Sequence, residues 1–129
     1  MSTFEIQIRV TKDHIDDLRC KQNIVYFQWV QDITNMHWDK LKECYDTSAY
    51  VWVVLRHELD YTDQAGLGDE ITVKTWVGET SGIKSVRYVE FYRKEKLLVK
   101  TQTFWCLIDA KTLRPKRITG DILQVLGLK

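Results

Sequence analysis

The chain carries one proline, Pro115, and six glycines in 129 residues. Proline breaks helices and central strands and glycine loosens both, so long uninterrupted elements are expected. Three cysteines, Cys20, Cys44 and Cys106, are odd in number and far apart. That argues against a disulfide framework and points to a reducing cytoplasm. No apolar run approaches the roughly 20 residues that span a bilayer as a helix, so no membrane partner is expected. The opening MSTFEIQIRV shows neither a basic leader nor an apolar signal core. With 19 Lys+Arg against 18 Asp+Glu, the net charge is +1. The cationic excess of a nucleic-acid binder is missing. No phosphate loop or dinucleotide fingerprint is present, and Gly66-Leu67-Gly68 reads as a shaped loop. His14 and His37 have no Cys or carboxylate at ligand spacing, so no metal is expected. Repeats, low-complexity segments and linkers are absent as well, so residues 1–129 read as one domain.

Aromatic residues, by contrast, are plentiful, with five Trp and six Tyr. Many of the chain's aromatic residues fall in the stretch from Asp16 to Tyr45, which has no Pro or Gly. Residues 11–22 read as a polar, irregular loop, followed by a helix starting near Asn23. Its apolar set Tyr26, Val30, Ile33, His37, Leu41 and Cys44 recurs at steps of three and four. Ile24, Phe27, Trp38 and Tyr45 widen that stripe, which predicts a helix covered on most of its circumference or meeting a partner subunit. Strands are predicted over Thr3–Val10, Tyr50–Tyr61, Glu70–Val77, Lys84–Arg93 and Leu97–Asp109, from period-two alternation. In the second of them Val51, Val53, Leu55, His57, Leu59 and Tyr61 share a phase. Residues 79–82 close a hairpin, Arg114-Pro115 ends the sheet, and Asp121–Leu126 adds a short helix capped by Thr119 or Asp121. The order β-α-β-β-β-β predicts an α+β fold in which an antiparallel five-stranded sheet wraps one long helix.

The spacing Asp16, Cys20, Gln22-Asn23, Tyr26, Trp29 resembles the signature of the hot-dog-fold acyl thioesterases, the superfamily of 4-hydroxybenzoyl-CoA thioesterase and the acyl-ACP thioesterases. Two further blocks are similar. One is Glu58-Leu59-Asp60-Tyr61 with Gly68-Asp69-Glu70-Ile71. The other is Leu107-Ile108-Asp109 with Thr112, Arg114-Pro115 and Arg117-Ile118. The blocks stand in the family's order and cover about the whole chain. Arg19 replaces the family's usual Gly or Gln, Cys20 its usual His, and Gln22 an Asn. The resemblance implies a hot-dog fold that joins edge to edge into a homodimer or homotetramer, with sites at the interface. It implies hydrolysis of an acyl-CoA or an acyl carrier protein thioester without metal or redox cofactor, coenzyme A entering only as part of the substrate.

Such hydrolysis needs an attacking group, an oxyanion holder and an acyl slot. Asp16 is the candidate nucleophile or general base. Backbone amides near Lys21, Gln22 and Asn23, at the predicted helix start, are the candidate oxyanion donors, since a helix amino end carries unpaired N–H groups and partial positive charge. Lys21 and Gln22, with Tyr26 and Trp29, are the candidate substrate-binding residues. Each residue also has a purely structural reading. Asp16 can turn a loop, and Asn23 can cap the helix instead of positioning water. Cys20 can be an inert buried thiol or a nucleophile activated by the helix end. His57 can be a hydrogen-bonded core histidine or a general base. Tyr26 and Trp29 can be core. Lys84, Arg87, Arg114 and Arg117 read as solvated strand faces before they read as coenzyme A contacts. Two rivals remain open: a hot-dog acyl-thioester-binding protein without catalysis, and an NTF2-like α+β ligand binder.

Overall fold

The alternating segments pair into one antiparallel sheet, and the long apolar segment lies across it as a helix. The computed structural model describes residues 3–63 and 65–128, leaving the side chains of residues 12–24 outside the description. The elements are β1 (Phe4–Arg9), α1 (Lys12–Leu41), β2 (Tyr50–Tyr61), β3 (Glu70–Ser81), β4 (Lys84–Arg93), β5 (Lys96–Asp109) and α2 (Gly120–Val125). The strand order is β1-β3-β4-β5-β2, so α1 carries the chain from one rim of the sheet to the other.

The helix begins at Lys12, not near Asn23 as predicted. The polar composition of residues 11–22 had suggested a loop, yet nothing between Lys12 and Leu41 breaks a helix. Asp13, Asp16 and Asp17 are also the charges that suit a helix amino end. At the other end, α1 stops at Leu41, so Cys44 and Tyr45 drop out of the predicted stripe and are exposed. Coverage is one-sided. Val25, Tyr26, Trp29, Val30, Ile33 and His37 are buried, while Phe27 and Met36 are exposed.

The core lies between that face and the sheet. Tyr26 and Ile33 pack with Ile71, Val73, Val89, Phe91, Leu98 and Val99, and Phe4, Ile6 and Ile8 of β1 close one side. A second cluster, Tyr50, Leu107, Ile118 and Ile122, fixes α2 against the other end. Thr119 occupies the position before α2, but its side chain makes no cap; its hydroxyl instead donates to the Asp121 carboxylate.

Strand β2 departs from a single phase. Its pairing with β5 slips between Val54 and Arg56, a bulge that puts an extra residue on one strand and reverses the alternation. His57 follows the bulge and pairs with Thr103 across the ladder, whereas Trp52 pairs with Leu107 before it. Val51 and Leu55 therefore leave the predicted phase, at 44% and 54% exposure.

On the outer face, Trp76 and Tyr88 stack with centroids 5.5 Å apart, over Gly78. A Cβ on Gly78 would stand 2.3 Å from Tyr88 Cε2 and 2.9 Å from Cδ2. Gly78→Ala is expected to displace the ring and cost about 1–3 kcal/mol, the usual penalty of overpacking. A lowered urea midpoint would show it, and an unchanged midpoint would refute it.

Candidate functional site

Asp16, Cys20, Lys21, Gln22 and Asn23 have side chains outside the described residues. The bounds of α1 still bear on them. The unpaired amides of a helix belong to its first turn. A helix starting at Lys12 places the backbone of Lys21, Gln22 and Asn23 well inside the hydrogen-bonded ladder. The oxyanion donors expected there therefore move to the amino end of the element.

The other three candidates are described. Tyr26 is fully buried and Trp29 nearly so. Their rings meet edge to face at 5.3 Å, and Tyr26 also meets Phe91 at 5.2 Å and Tyr61 at 5.6 Å. Burial holds the Tyr26 hydroxyl above its ordinary range. Both residues thus form the core under the middle of α1. His57 Nδ1 pairs with Thr103 Oγ1 at 2.9 Å, and the ring packs edge-on against Phe27 at 4.4 Å. Burial lowers its pKa, so it stands as a neutral, hydrogen-bonded histidine. Tyr26 and Trp29 are brought together; His57, on β2, meets Phe27 instead.

The loop after β2 is pinned by charge. Asp69 accepts from the Gly66 amide at 2.7 Å and from Arg93 Nη1 at 3.0 Å. Asp63 pairs with Arg93 and Lys96. The Gly66 amide is the main reason the Asp69 carboxyl lies below the usual range. Gly68 takes φ +82°, which glycine tolerates without strain.

Arg87 overturns its sequence reading. Lys84, Arg114 and Arg117 are exposed as expected, but Arg87 is only 5% exposed. Its Nη1 donates to His37 Nδ1 at 2.8 Å and to Thr75 Oγ1 at 3.1 Å. Because guanidinium has only donors, Nδ1 must accept, and His37 must be neutral. Phe4 stacks on the same ring at 5.2 Å. Burial, then the Arg87 charge, lower the His37 pKa to about 4. Below roughly pH 6.5 the unfolded chain takes up this proton and the folded one does not. Stability is therefore expected to fall as pH drops from there towards 4, by on the order of 3 kcal/mol. His57 adds in the same direction. His37→Gln, which keeps an acceptor and cannot titrate, is expected to remove most of that slope in urea midpoints measured against pH. A variant as acid-sensitive as the parent would refute this.

Among the described residues no three of His, Cys, Asp and Glu converge as a metal site would require. No helix there is long and apolar enough to cross a membrane.

The model of the acyl-ACP thioesterase N-terminal domain matches residues 3–126. This chain belongs to the acyl-ACP thioesterase family. A chloroplastic acyl-[acyl-carrier-protein] hydrolase of Cuphea viscosissima is 25% identical over 76 residues, covering 57% of this chain and 18% of the relative. The chain spans less than a third of the length of the curated relatives it matches. Solved structures share the fold over 96–98% of the chain. A predicted thioesterase of Bacillus stearothermophilus has a TM-score of 0.82 at 20% identity, covering 98% of this chain and 95% of that one. The YbaW probable thioesterase of Escherichia coli has a TM-score of 0.81 at 20% identity, covering 96% of each chain. These likenesses fix the architecture as the hot-dog fold, as the resemblance implied, and dismiss the NTF2-like rival.

Proposed function

We propose that this family member hydrolyses an acyl thioester of acyl carrier protein or coenzyme A to the free acid and a thiol. The observation that carries the proposal is the family match along residues 3–126. Asp16, which keeps the family's acidic position, attacks the thioester carbon or activates water for that attack. The amino end of α1 supplies positive potential for the oxyanion; a preorganised donor of this kind is worth roughly 3 kcal/mol of barrier. Cys20, Lys21, Gln22 and Asn23 stand roughly 12 to 16 Å along α1 from that end, so their proposed part is to line the approach of the substrate. Tyr26 and Trp29 form the apolar floor, and His57 stands behind it as a neutral hydrogen-bonding group. No metal or redox cofactor enters the scheme, and coenzyme A enters only as substrate.

A homodimer or homotetramer, built through a rim of the sheet, belongs to the same proposal. Strand β2 is a rim strand with Val51 and Leu55 exposed, and uncovered apolar edges favour pairing. The reducing cytoplasm remains the proposed location: Cys106 and Cys44 are unpaired, one buried and one exposed.

The substitutions Arg19 and Cys20 favour a second reading, an acyl-thioester binder without turnover. Purified protein, a chain-length panel of acyl-CoA and acyl carrier protein thioesters, and a thiol-detecting reagent decide between them. Thiol release with at least one chain length is expected. Tight binding without release at any length would give the binder.

A further inference from the structure

We propose that residues 111–117 form a contact surface for the anionic face of a lipid bilayer. The segment follows β5 and holds four cations and no acid: Lys111, Arg114, Lys116 and Arg117. The whole chain nets +1, so the remaining residues sum to −3. The positive excess is concentrated in one loop. That loop leaves the end of β5 opposite the amino end of α1. Val10, just before α1, bonds to Asp69, and Asp69 pairs with Arg93, which stands across from Lys96 at the start of β5. The 14 residues of β5 separate the two ends, roughly 40 Å along the strand at about 3.3 Å per residue. The surface is thus remote from the thioester chemistry and does not rest on it.

The first observation is charge without local compensation. The loop's own backbone holds it out: the Asp109 amide donates to the Arg114 carbonyl at 2.9 Å, the Leu113 amide to the Asp109 carbonyl at 2.8 Å and the Lys116 amide to the Leu107 carbonyl at 2.8 Å. Asp109 turns its carboxylate back onto the amides of Lys111 and Thr112, at 2.8 and 3.0 Å. The ion pairs among the described residues draw on Arg9, Lys42, Arg56, Arg93 and Lys96, and none on this loop. Lys116 is half-buried and acts on two acids, Asp109 and Asp121; hydrogen bonds, and then its charge, hold both carboxyls below the usual range. Lys111, Arg114 and Arg117 are exposed. Three free cations on so short a loop suit a surface of spread negative charge. Each one near an anionic bilayer is worth roughly fivefold in partition.

The second observation is Leu113, at the crest of the loop. It is 68% exposed, and its φ is +60°. The left-handed region suits glycine and asparagine, and a bulky side chain there is an outlier. Leu113 joins neither core cluster, so this strain stabilises nothing in the fold, and strain of that kind marks functional positions. Pro115, two residues on, is exposed too. Apolar groups at a crest, flanked in sequence by cations on long stems, match a bilayer boundary. The apolar tip enters the acyl region while the cations stay among the headgroups. The crest is one tight turn, so an acidic protein would need a pocket shaped for a single leucine, whereas a fluid bilayer needs none. Contact of this kind involves no span, so the lack of a long apolar run does not bear on it.

The test is flotation of the purified protein with vesicles of phosphatidylglycerol and phosphatidylcholine, beside vesicles of phosphatidylcholine alone. Binding is expected on the anionic vesicles only, and to weaken as salt rises from about 0.05 to about 0.5 M. Joint replacement by Lys111→Gln, Arg114→Gln and Arg117→Gln is expected to lower partition roughly a hundredfold, three factors of about five. Leu113→Asn relieves the strain and removes the apolar group. It is expected to lose roughly tenfold in partition while its melting temperature holds or rises, a split that a merely structural leucine would not show. No binding to anionic vesicles, equal binding to neutral ones, or parental partition in either variant would each overturn the proposal. Displacement by free coenzyme A at the concentration of the anionic lipid would mark a nucleotide-phosphate site and overturn it too. So would tighter binding to soluble polyglutamate than to vesicles of equal charge, the sign of an acidic protein partner. If the triple variant does not fold, Arg117→Gln alone carries the test, with an expected loss of roughly fivefold. Thioester turnover is not read in any arm, so loss of the proposed activity leaves this result intact.

Discussion

Asp16→Asn is expected to lower thioester cleavage by roughly 10²- to 10⁴-fold, the span of a lost general base. The substitution keeps the shape and hydrogen-bonding reach of the side chain and removes only its charge. A neutral amide can neither form an anhydride with the acyl group nor take a proton from water. The loss is expected in kcat with KM little changed, since the group acts on the reacting carbon and not on ground-state binding. Cys20→Ser, run in parallel, separates the rival nucleophile. If the thiol attacks, the serine variant carries the loss and Asp16→Asn stays near the parent rate. Full activity in Asp16→Asn would remove Asp16 from the chemistry.

Phe91→Ala is expected to cost about 3–5 kcal/mol, the range for deleting a fully buried ring. Phe91 has no exposed surface and stands beneath α1, 5.2 Å from the Tyr26 ring and 6.1 Å from Trp29. Two large aromatic rings stand over it, and its ladder partners are the β-branched Val73 and Val99, which repack poorly. Against a total of about 5–15 kcal/mol for a domain, this one truncation consumes a large share. Urea unfolding would show a sharply lower midpoint at unchanged slope, and Phe91→Leu, which leaves less void, a smaller drop. A Phe91→Ala midpoint within error of the parent would mean that the rings above it are not packed as described.

Much of this fold was legible before any coordinates. The alternation in EIQIRV, in residues 70–77 and in residues 84–93 reports one face toward a core, and the pairing registers of β1, β3 and β4 follow it. What was not legible had physical causes. In β2 both phases are apolar, Val51-Val53-Leu55 and Trp52-Val54, so no pattern marks the bulge that exchanges them. The start of α1 is written in polar residues, which suit a solvated helix and a loop equally. Arg87 follows Val86 and precedes Tyr88, so its strand gives an arginine no reason to point inward. Only the ladder, which sets it opposite Val77 and Thr103, and His37 waiting on α1 reveal where it goes. As for the site, the motif that carries the resemblance named Asp16 to Trp29. The structure gathers Tyr26 and Trp29 into the core, while the five residues before them lie outside its description.

The strand order also sets a timetable for synthesis. Strands β3, β4 and β5 are neighbours in the chain and in the sheet, so they can zip locally at little loop-closure cost. The rim strands cannot. Strand β1 must wait for β3, and Tyr50 of β2 must wait for Asp109 at the far end of β5. On a ribosome the first half of the molecule therefore emerges before its receiving surface exists. It must carry the naked apolar stripe of α1 through that interval, which makes the nascent chain a natural client for a holding chaperone.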